Sequence, residues 1–324
     1  MPSLDKIDRK ILLELDTNAR ESFSKIGQRL GTGKNNVQYH VNQLVKEGII
    51  KKFVVQYSLA KLGLFLGKIY LQLSGLSKEE ENQLYAYLQK EKRISWVAKC
   101  EGRWDLMWGS YVEDMNQFIQ IKKDFFNHFE KWVTNYDVIF LAEGHTSPRT
   151  YLLEKKSISS KKIHRFMDQG KVEISLEEKK ILKFISNNAR FNYMDLVKEF
   201  KINIKTAQRK ISDLEKKGII QGYVTFLDMH KVGYNFFKLC IFLKNYEKKI
   251  DEFIKYCLEL PNVVHVIESL GPWEIELEIE TETLQDFYSL THQIRNDFSE
   301  IIKKTESVII TEEKKLDFFP EWLV

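Results

Sequence analysis

Residues 4–50 read LDKIDRKILLELDTNARESFSKIGQRLGTGKNNVQYHVNQLVKEGII, and residues 174–220 read ISLEEKKILKFISNNARFNYMDLVKEFKINIKTAQRKISDLEKKGII. Sliding the chain by 170 positions superimposes the two without a gap. Lys10-Ile11-Leu12 falls on Lys180-Ile181-Leu182, Asn18-Ala19-Arg20 on Asn188-Ala189-Arg190, Gln38 on Gln208, Leu44 on Leu214 and Gly48-Ile49-Ile50 on Gly218-Ile219-Ile220. A self-match of this length organises any local reading. Inside the first stretch the apolar residues recur at helical spacing. Ile7, Ile11, Leu12 and Leu15 predict a first helix, and Ser22 caps a second that carries Ile26 and Leu30 and stops at Gly31-Thr32-Gly33. A third runs to about Lys46 with Val37, Val41, Leu44 and Val45 inward, and Gly48 ends it. Three short helices with a tight turn before the third predict a helix-turn-helix; residues 49–57 and 219–227 then read as strands, which makes it winged or strand-linked.

Beyond each module the pattern becomes strand, helix, strand, strand, helix, strand: 68–74, 78–91, 94–101, 104–112, 114–129 and 134–143, then 236–243, 247–258, 263–269, 273–280, 283–298 and 306–312. The expected fold class is therefore α+β: two tandem copies of a winged-helix-like module followed by a ferredoxin-like βαββαβ domain. The boundaries fall at 1–60, 61–153, 173–230 and 231–324, with a lysine- and serine-rich linker over 154–172. The 324 residues are 43% hydrophobic and 30% charged, which suits more than one globular unit and excludes a disordered or fibrous chain. No apolar run approaches a membrane span, and MPSLDKIDRK lacks a signal-peptide core, so a cytoplasmic protein without membrane contact is expected. Three isolated cysteines and seven scattered histidines predict neither disulfides nor a metal site. The net charge of +4 is uneven: residues 1–60 and 171–230 are each four positive, and the remainder is four negative. Two basic modules on acidic partners point to a polyanion for the modules alone.

The leader Leu4-Asp5-x-x-Asp8-x-x-Ile11-Leu12, the twice-repeated Asn-Ala-Arg and Gly-Ile-Ile, and the later Gly102-Arg-Trp104-Asp105-Leu resemble the Lrp/AsnC family of transcriptional regulators over nearly the whole chain. That resemblance implies an N-terminal helix-turn-helix joined to a ferredoxin-like ligand-sensing domain, with double-stranded DNA as partner and no cofactor. Family members dimerise through one unit per chain, so two fused units imply an intrachain pseudo-dimer; whether chains assemble further is left open. His40 and Lys210 stand where the family commonly has Arg, and Gly33 and Asn203 where a Ser commonly caps the third helix. A helix in the major groove needs polar and cationic side chains on its leading face. With Val37, Val41 and Leu44 inward, Lys34, Asn35, Gln38, Tyr39 and Gln43 face outward; the second copy offers Lys205, Thr206, Gln208 and Arg209, weakened by Asp213. The linker cations Lys155, Lys156, Lys161, Lys162 and Arg165 read as a solvated run. For an amino-acid effector, the family resemblance points to Gly102 and Asp105, matched by Gly271 and Glu274.

Two other function classes share this architecture. A nucleoid-organising protein would use the same DNA-binding parts without a defined operator. Sirohaem decarboxylases, as a fused pair, would have this length and would need His and Arg converging on a tetrapyrrole; His128, His145, Arg149, His265 and His292 are the available residues. They are not organised as matching sets in the two copies, and no nucleophile or metalloprotease motif opens another enzymatic path. The expectation is a regulator and not an enzyme. The segment 273–280 alternates strictly, placing Glu274, Glu276, Glu278 and Glu280 on one face, expected to be solvated or salt-paired. Should the two sheets meet through such faces, Lys68 and Lys238 are the expected partners by register, in a hydrated, charge-paired cleft.

Overall fold

The computed structural model describes residues 4–153, 164–165 and 170–324. The linker lysines 155, 156, 161 and 162 lie outside the described residues. Three helices open the chain: α1 (Lys6–Thr17), α2 (Phe23–Leu30) and α3 (Lys34–Lys46). They are followed by β1 (Ile50–Tyr57), β2 (Phe65–Leu73), α4 (Lys78–Lys90), β3 (Trp96–Gly102), β4 (Leu106–Val112), α5 (Met115–Phe129) and β5 (Val133–Thr146). After the short β6 (His164–Arg165), the same order returns as α6 (Leu176–Ile185), α7 (Tyr193–Phe200), α8 (Ile204–Lys216), β7 (Ile220–Leu227), β8 (Asn235–Leu243), α9 (Ile250–Glu259), β9 (Val263–Leu270), β10 (Ile275–Thr281), α10 (Leu284–Asp297) and β11 (Ile302–Leu316).

The helix starts are written into the side chains. Asp5 Oδ1 accepts from the amides of Ile7 and Asp8, and Asp8 returns a bond to the Asp5 amide, so the family-like leader is a capping box. Ser175 and Glu178 make the equivalent box on α6, and Ser22 caps α2 as expected. Ile11, Leu12 and Leu15 pack against Ile26, Val37, Val41 and Leu44 in one core, and Ile181, Leu182 and Ile185 against Leu196, Ala207, Ile211 and Leu214 in the other. Two residues expected inward are not: Ile7 is 37% and Val45 is 45% exposed. Each sits at the margin of a narrow apolar stripe, and the three-helix module is too small to cover it.

The sheets differ most from expectation. Instead of two separate four-stranded sheets, β2-β4-β3-β11-β8-β10-β9-β5 forms a continuous antiparallel order that closes through a β5–β2 pairing, giving an eight-stranded barrel with β6 as an appendage on β5. The last strand of each half effects the closure. β5 pairs with β2 through Val133–Phe140 and then with β9 through Phe140–Thr146; β11 pairs with β8 up to Ile310 and with β3 through Val308–Leu316. Closure gives each of the eight barrel strands a neighbour on both sides. Outside the barrel, α4 and α5 cover Ile69, Leu71, Val97 and Trp108, while α9 and α10 cover Phe237, Leu239, Val266 and Leu277. Inside, Tyr70, Cys100, Trp104, Met107, Cys240 and Trp273 pack together, and all three cysteines are free and buried.

β1 and β7 pair with one another, from Ile50 with Leu227 to Tyr57 with Ile220, as a ribbon between the helical modules and the barrel. The modules consequently share cores across the boundaries read at 60 and 230. Val55, Tyr57 and Leu59 pack in the core of the second module, and Leu227, Met229 and Tyr234 in the core of the first.

Candidate nucleic-acid interface

Lys34, Asn35, Gln38 and Tyr39 are exposed along the N-terminal half of α3, with Gln43 half-buried. On α8, Lys205, Gln208 and Arg209 are exposed and Thr206 is half-buried. The structure thus gathers the expected residues into two faces, one per module. Asn203 caps α8 by accepting from the Thr206 amide at 2.8 Å, whereas Gly33 starts α3 with no side-chain cap. His40 and Lys210 do not join these faces. His40 Nδ1 lies 2.8 Å from Asp8, and Lys210 Nζ 3.0 Å from Glu177, so each ties the third helix of its module to the first.

What joins the modules is the Asn-Ala-Arg repeat. Arg20 Nη1 donates to the Ala189 carbonyl at 2.6 Å and to that of Phe191 at 3.3 Å; Arg190 Nη1 donates to Ala19 at 2.6 Å and to Glu21 at 3.1 Å. The guanidinium of Arg20 lies 3.9 Å from the Phe191 ring centroid, and that of Arg190 lies 4.2 Å from Phe23. The two alanine amides complete the lock on the ribbon, Ala19 to the Tyr223 carbonyl and Ala189 to that of Phe53. Each arginine therefore acts on the opposite copy, with charge-assisted bonds and ring contact at once. Repetition of the motif was visible in the sequence; its reciprocal use was not.

The hairpin residues expected at an effector site are occupied structurally. Asp105 Oδ2 accepts from the Leu73 amide and Glu274 Oε2 from that of Leu243, both at 2.7 Å, so each carboxylate closes the end of the first strand of its sheet. Gly102 has φ +120°, which favours glycine, and a Cβ there would lie 3.3 Å from the Ser307 carbonyl of β11. At Gly271 the constraint is space rather than backbone angle: a Cβ would meet Ile139 at 2.6 Å and the Val138 carbonyl at 3.0 Å on β5. The four residues form two separate turns against strands of the opposite half.

The polar interior lies in the barrel. Glu276 is fully buried and accepts from Lys68 at 3.0 Å, Lys238 at 2.9 Å, Tyr70 at 2.6 Å and the Trp273 indole at 3.2 Å. Lys238 also reaches Glu278 at 2.8 Å. Burial alone would raise the Glu276 carboxyl; the two ammonium groups and the Tyr70 hydroxyl outweigh it and hold it well below the usual range. The same opposition brings Glu278 to about 2. Burial, with the charge of Lys238 opposing that of Glu276, lowers Lys68. The two lysines read from strand register are the partners, and the Glu276 carboxylate is buried among them: Glu276 and Glu278 are salt-paired rather than exposed to solvent.

Above this network a cavity of about 810 Å3 separates the barrel end from the β1–β7 ribbon. Arg149 and His265 line it, but Arg149 is already bound to Asp16 at 2.7 Å and to Glu280 at 2.8 Å, and His265 contacts Thr146 at 3.0 Å. His145 is buried on β5 outside the cavity lining; His128 and His292 are exposed on the outer helices α5 and α10. These five residues do not converge.

Comparison with known proteins adds the following. A family model described as winged helix-turn-helix DNA-binding matches residues 4–51. An uncharacterized HTH-type transcriptional regulator of Pyrococcus horikoshii is 37% identical over 108 residues, 32% of this chain and 70% of the relative. The regulatory protein AsnC of Haemophilus influenzae is 26% identical over 116 residues, 35% of this chain and 75% of that protein. Among solved structures, the siroheme decarboxylase NirDL superposes with a TM-score of 0.62 at 14% identity, covering 98% of this chain and 97% of that one, a likeness of fold alone. No helix among the described residues is long and apolar enough to cross a membrane. With its capped helix-turn-helix, its exposed polar third helix and these relatives, the chain belongs to the Lrp/AsnC family of DNA-binding, helix-turn-helix transcriptional regulators.

Proposed function

We propose that the protein is a sequence-specific regulator that arose by tandem duplication and reads two unlike half-sites from one chain. The observation that carries this is the reciprocal Arg20–Arg190 clasp, which joins the α1–α2 turn of one module to the α6–α7 turn of the other and so presents both polar faces from one body. Lys34, Lys205 and Arg209 contact phosphate or guanine edges; Asn35, Gln38 and Gln208 suit adenine; Tyr39, Gln43 and Thr206 complete the faces. Duplication supplies within one chain the two halves that single-unit relatives take from separate chains. A small effector acts on this regulator, with the Gly102–Asp105 and Gly271–Glu274 turns and the cavity under the ribbon as its places to bind.

The fold likeness to a siroheme decarboxylase does not carry an enzymatic reading. The carboxylate groups along the cavity outnumber its lysines and arginine, and the latter are engaged, so a substrate bearing many carboxylates meets an unfavourable field. Gel shifts with genomic fragments test the proposal. Replacing Lys34, Gln38 and Tyr39 together by Ala should weaken a salt-sensitive complex; equal, salt-insensitive binding by variant and parent would sink the assignment. Genome-wide occupancy at discrete sites separates a regulator from a nucleoid-organising protein, which would spread continuously.

A further inference from the structure

The cavity beneath the ribbon carries a charge imbalance at one residue. Five carboxylates that are not exposed face it: Asp16, Asp228, Glu278, Glu280 and Glu313. Four have a cation at ion-pair distance. Arg149 serves Asp16 and Glu280, Lys51 lies 3.0 Å from Asp228, and Lys238 serves Glu278. Glu313, on β11, has no such cation among the described residues; its one side-chain bond is from the Trp96 indole at 3.0 Å. Burial pushes its carboxyl up, and the nearby Glu278 and Glu280 add to this, against the Trp96 bond and the distant Lys51. A half-buried carboxylate without a counter-ion is costly to the protein alone. Two further lining residues carry side-chain oxygens with no partner among the described residues, Gln56 Oε1 on the ribbon and Ser147 Oγ, the latter on a residue 2% exposed. The rest of the lining is largely apolar and aromatic, including Phe226, Phe236 and Phe318.

We infer that this cavity is a binding site for a protonated amine on an apolar, ring-bearing body, its ammonium seated on Glu313 and its body against the aromatic walls. Surplus acceptors, cations already bonded within the protein and apolar walls all select one positive charge with N–H donors. A zwitterionic amino acid would bring a carboxylate into this acidic lining, where Lys51, Lys68 and Arg149 are already paired with carboxylates and Lys231 bonds the Glu47 carbonyl. The ribbon residues that roof the cavity, Val54–Tyr57 and Val224–Leu227, run directly from α3 and α8, so an occupant touches the segment that positions both third helices.

The test is calorimetric titration of the full chain with three probes of one shape: 4-phenylbutylamine, 4-phenylbutanol and 4-phenylbutyrate. The expected result is one amine bound per chain, the alcohol at least tenfold weaker and the carboxylate weaker still. Glu313→Gln should cost the amine tenfold or more and bring it level with the alcohol, while Val224→Trp, which fills the cavity, should abolish binding of both. Equal affinity for the three probes in the unaltered chain, or amine binding unchanged by Glu313→Gln, would overturn the inference. The probe series needs no variant to fold, and the titration reads no DNA, so its failure and that of the regulator reading are separate events.

Discussion

The two halves of this chain agree where they hold the molecule together and disagree on the exposed faces of their third helices and along the inner face of the barrel. Arg20 and Arg190 make mirrored bonds, and Asp105 and Glu274 accept from equivalent amides although one is a methylene longer. The outward faces of α3 and α8 share one glutamine, Gln38 and Gln208, and little else: Asn35 matches Lys205 and Tyr39 matches Arg209. The inner face of the barrel diverges further. Where β4 presents Met107, Gly109 and Tyr111, β10 presents Glu276, Glu278 and Glu280, and the carboxylates of the second half take a lysine and a tyrosine from the first. Matching residues that bind each other are alike because each has the other as partner; those that point to solvent, or to the single axis between the halves, are under no such constraint.

The largest effect should come from forcing the barrel to be symmetric. Glu276→Met, which imports the residue of the first half, strands Lys68 and part of the charge of Lys238 and should cost about 3–5 kcal/mol in denaturant unfolding. Replacing Lys68, Glu276 and Lys238 together by Met removes the stranded ammonium groups but leaves Glu278 without its cation, and should recover only part of that loss. Because the carboxyls of Glu276 and Glu278 are depressed in the folded state, their contribution is present above the unfolded carboxylate value and fades as pH falls from about 4.5 toward 2. The triple Met variant should show a flatter acid limb; an identical limb would show that this network does not govern acid stability.

Next come the reading faces. Ala at Lys34, Gln38 and Tyr39 should weaken operator binding on the order of 100-fold, and Arg209→Ala on the order of 10-fold, each lost phosphate contact lowering the salt slope by about one. Equal losses from the two faces would mean that the halves contribute alike despite their sequences. The clasp is the symmetric control. Arg20→Ala and Arg190→Ala should each cost about 2 kcal/mol in thermal or denaturant unfolding, and by the same amount, because each removes a cation bonded to two carbonyls. The smallest effect belongs to the hairpins: Asp105→Asn and Glu274→Gln should each cost about 1 kcal/mol, with no change in amine titration.

Much of this fold was legible because its signals are local. Helical periodicity, Ser22, Gly31 and Gly48 place the helices of the first module to within a residue or two, and the alternation of β8 and β10 shows which side chains turn inward. It does not show what they meet. The barrel was missed because closure depends on the distal part of β11, residues 311–316, whose sequence TEEKKL has no apolar alternation and becomes strand only against β3. The site follows the same division. Lys34, Gln38 and Arg209 follow from helix geometry, whereas the cavity draws Gln56, Ser147, Glu313 and the ribbon from distant segments, none of which carries a motif. His40 shows the converse limit: its position on the third helix suggested DNA, and only the fold reveals Asp8 beneath it.

The central claim, one chain reading two unlike half-sites, is tested most directly by selecting binding sites from random duplex DNA with the full chain and repeating the selection with Arg209→Ala. The account predicts an asymmetric site of two different half-sites, with the Arg209→Ala protein losing base preference in one half alone. A perfect palindrome, or a variant that shifts both halves equally, would contradict it.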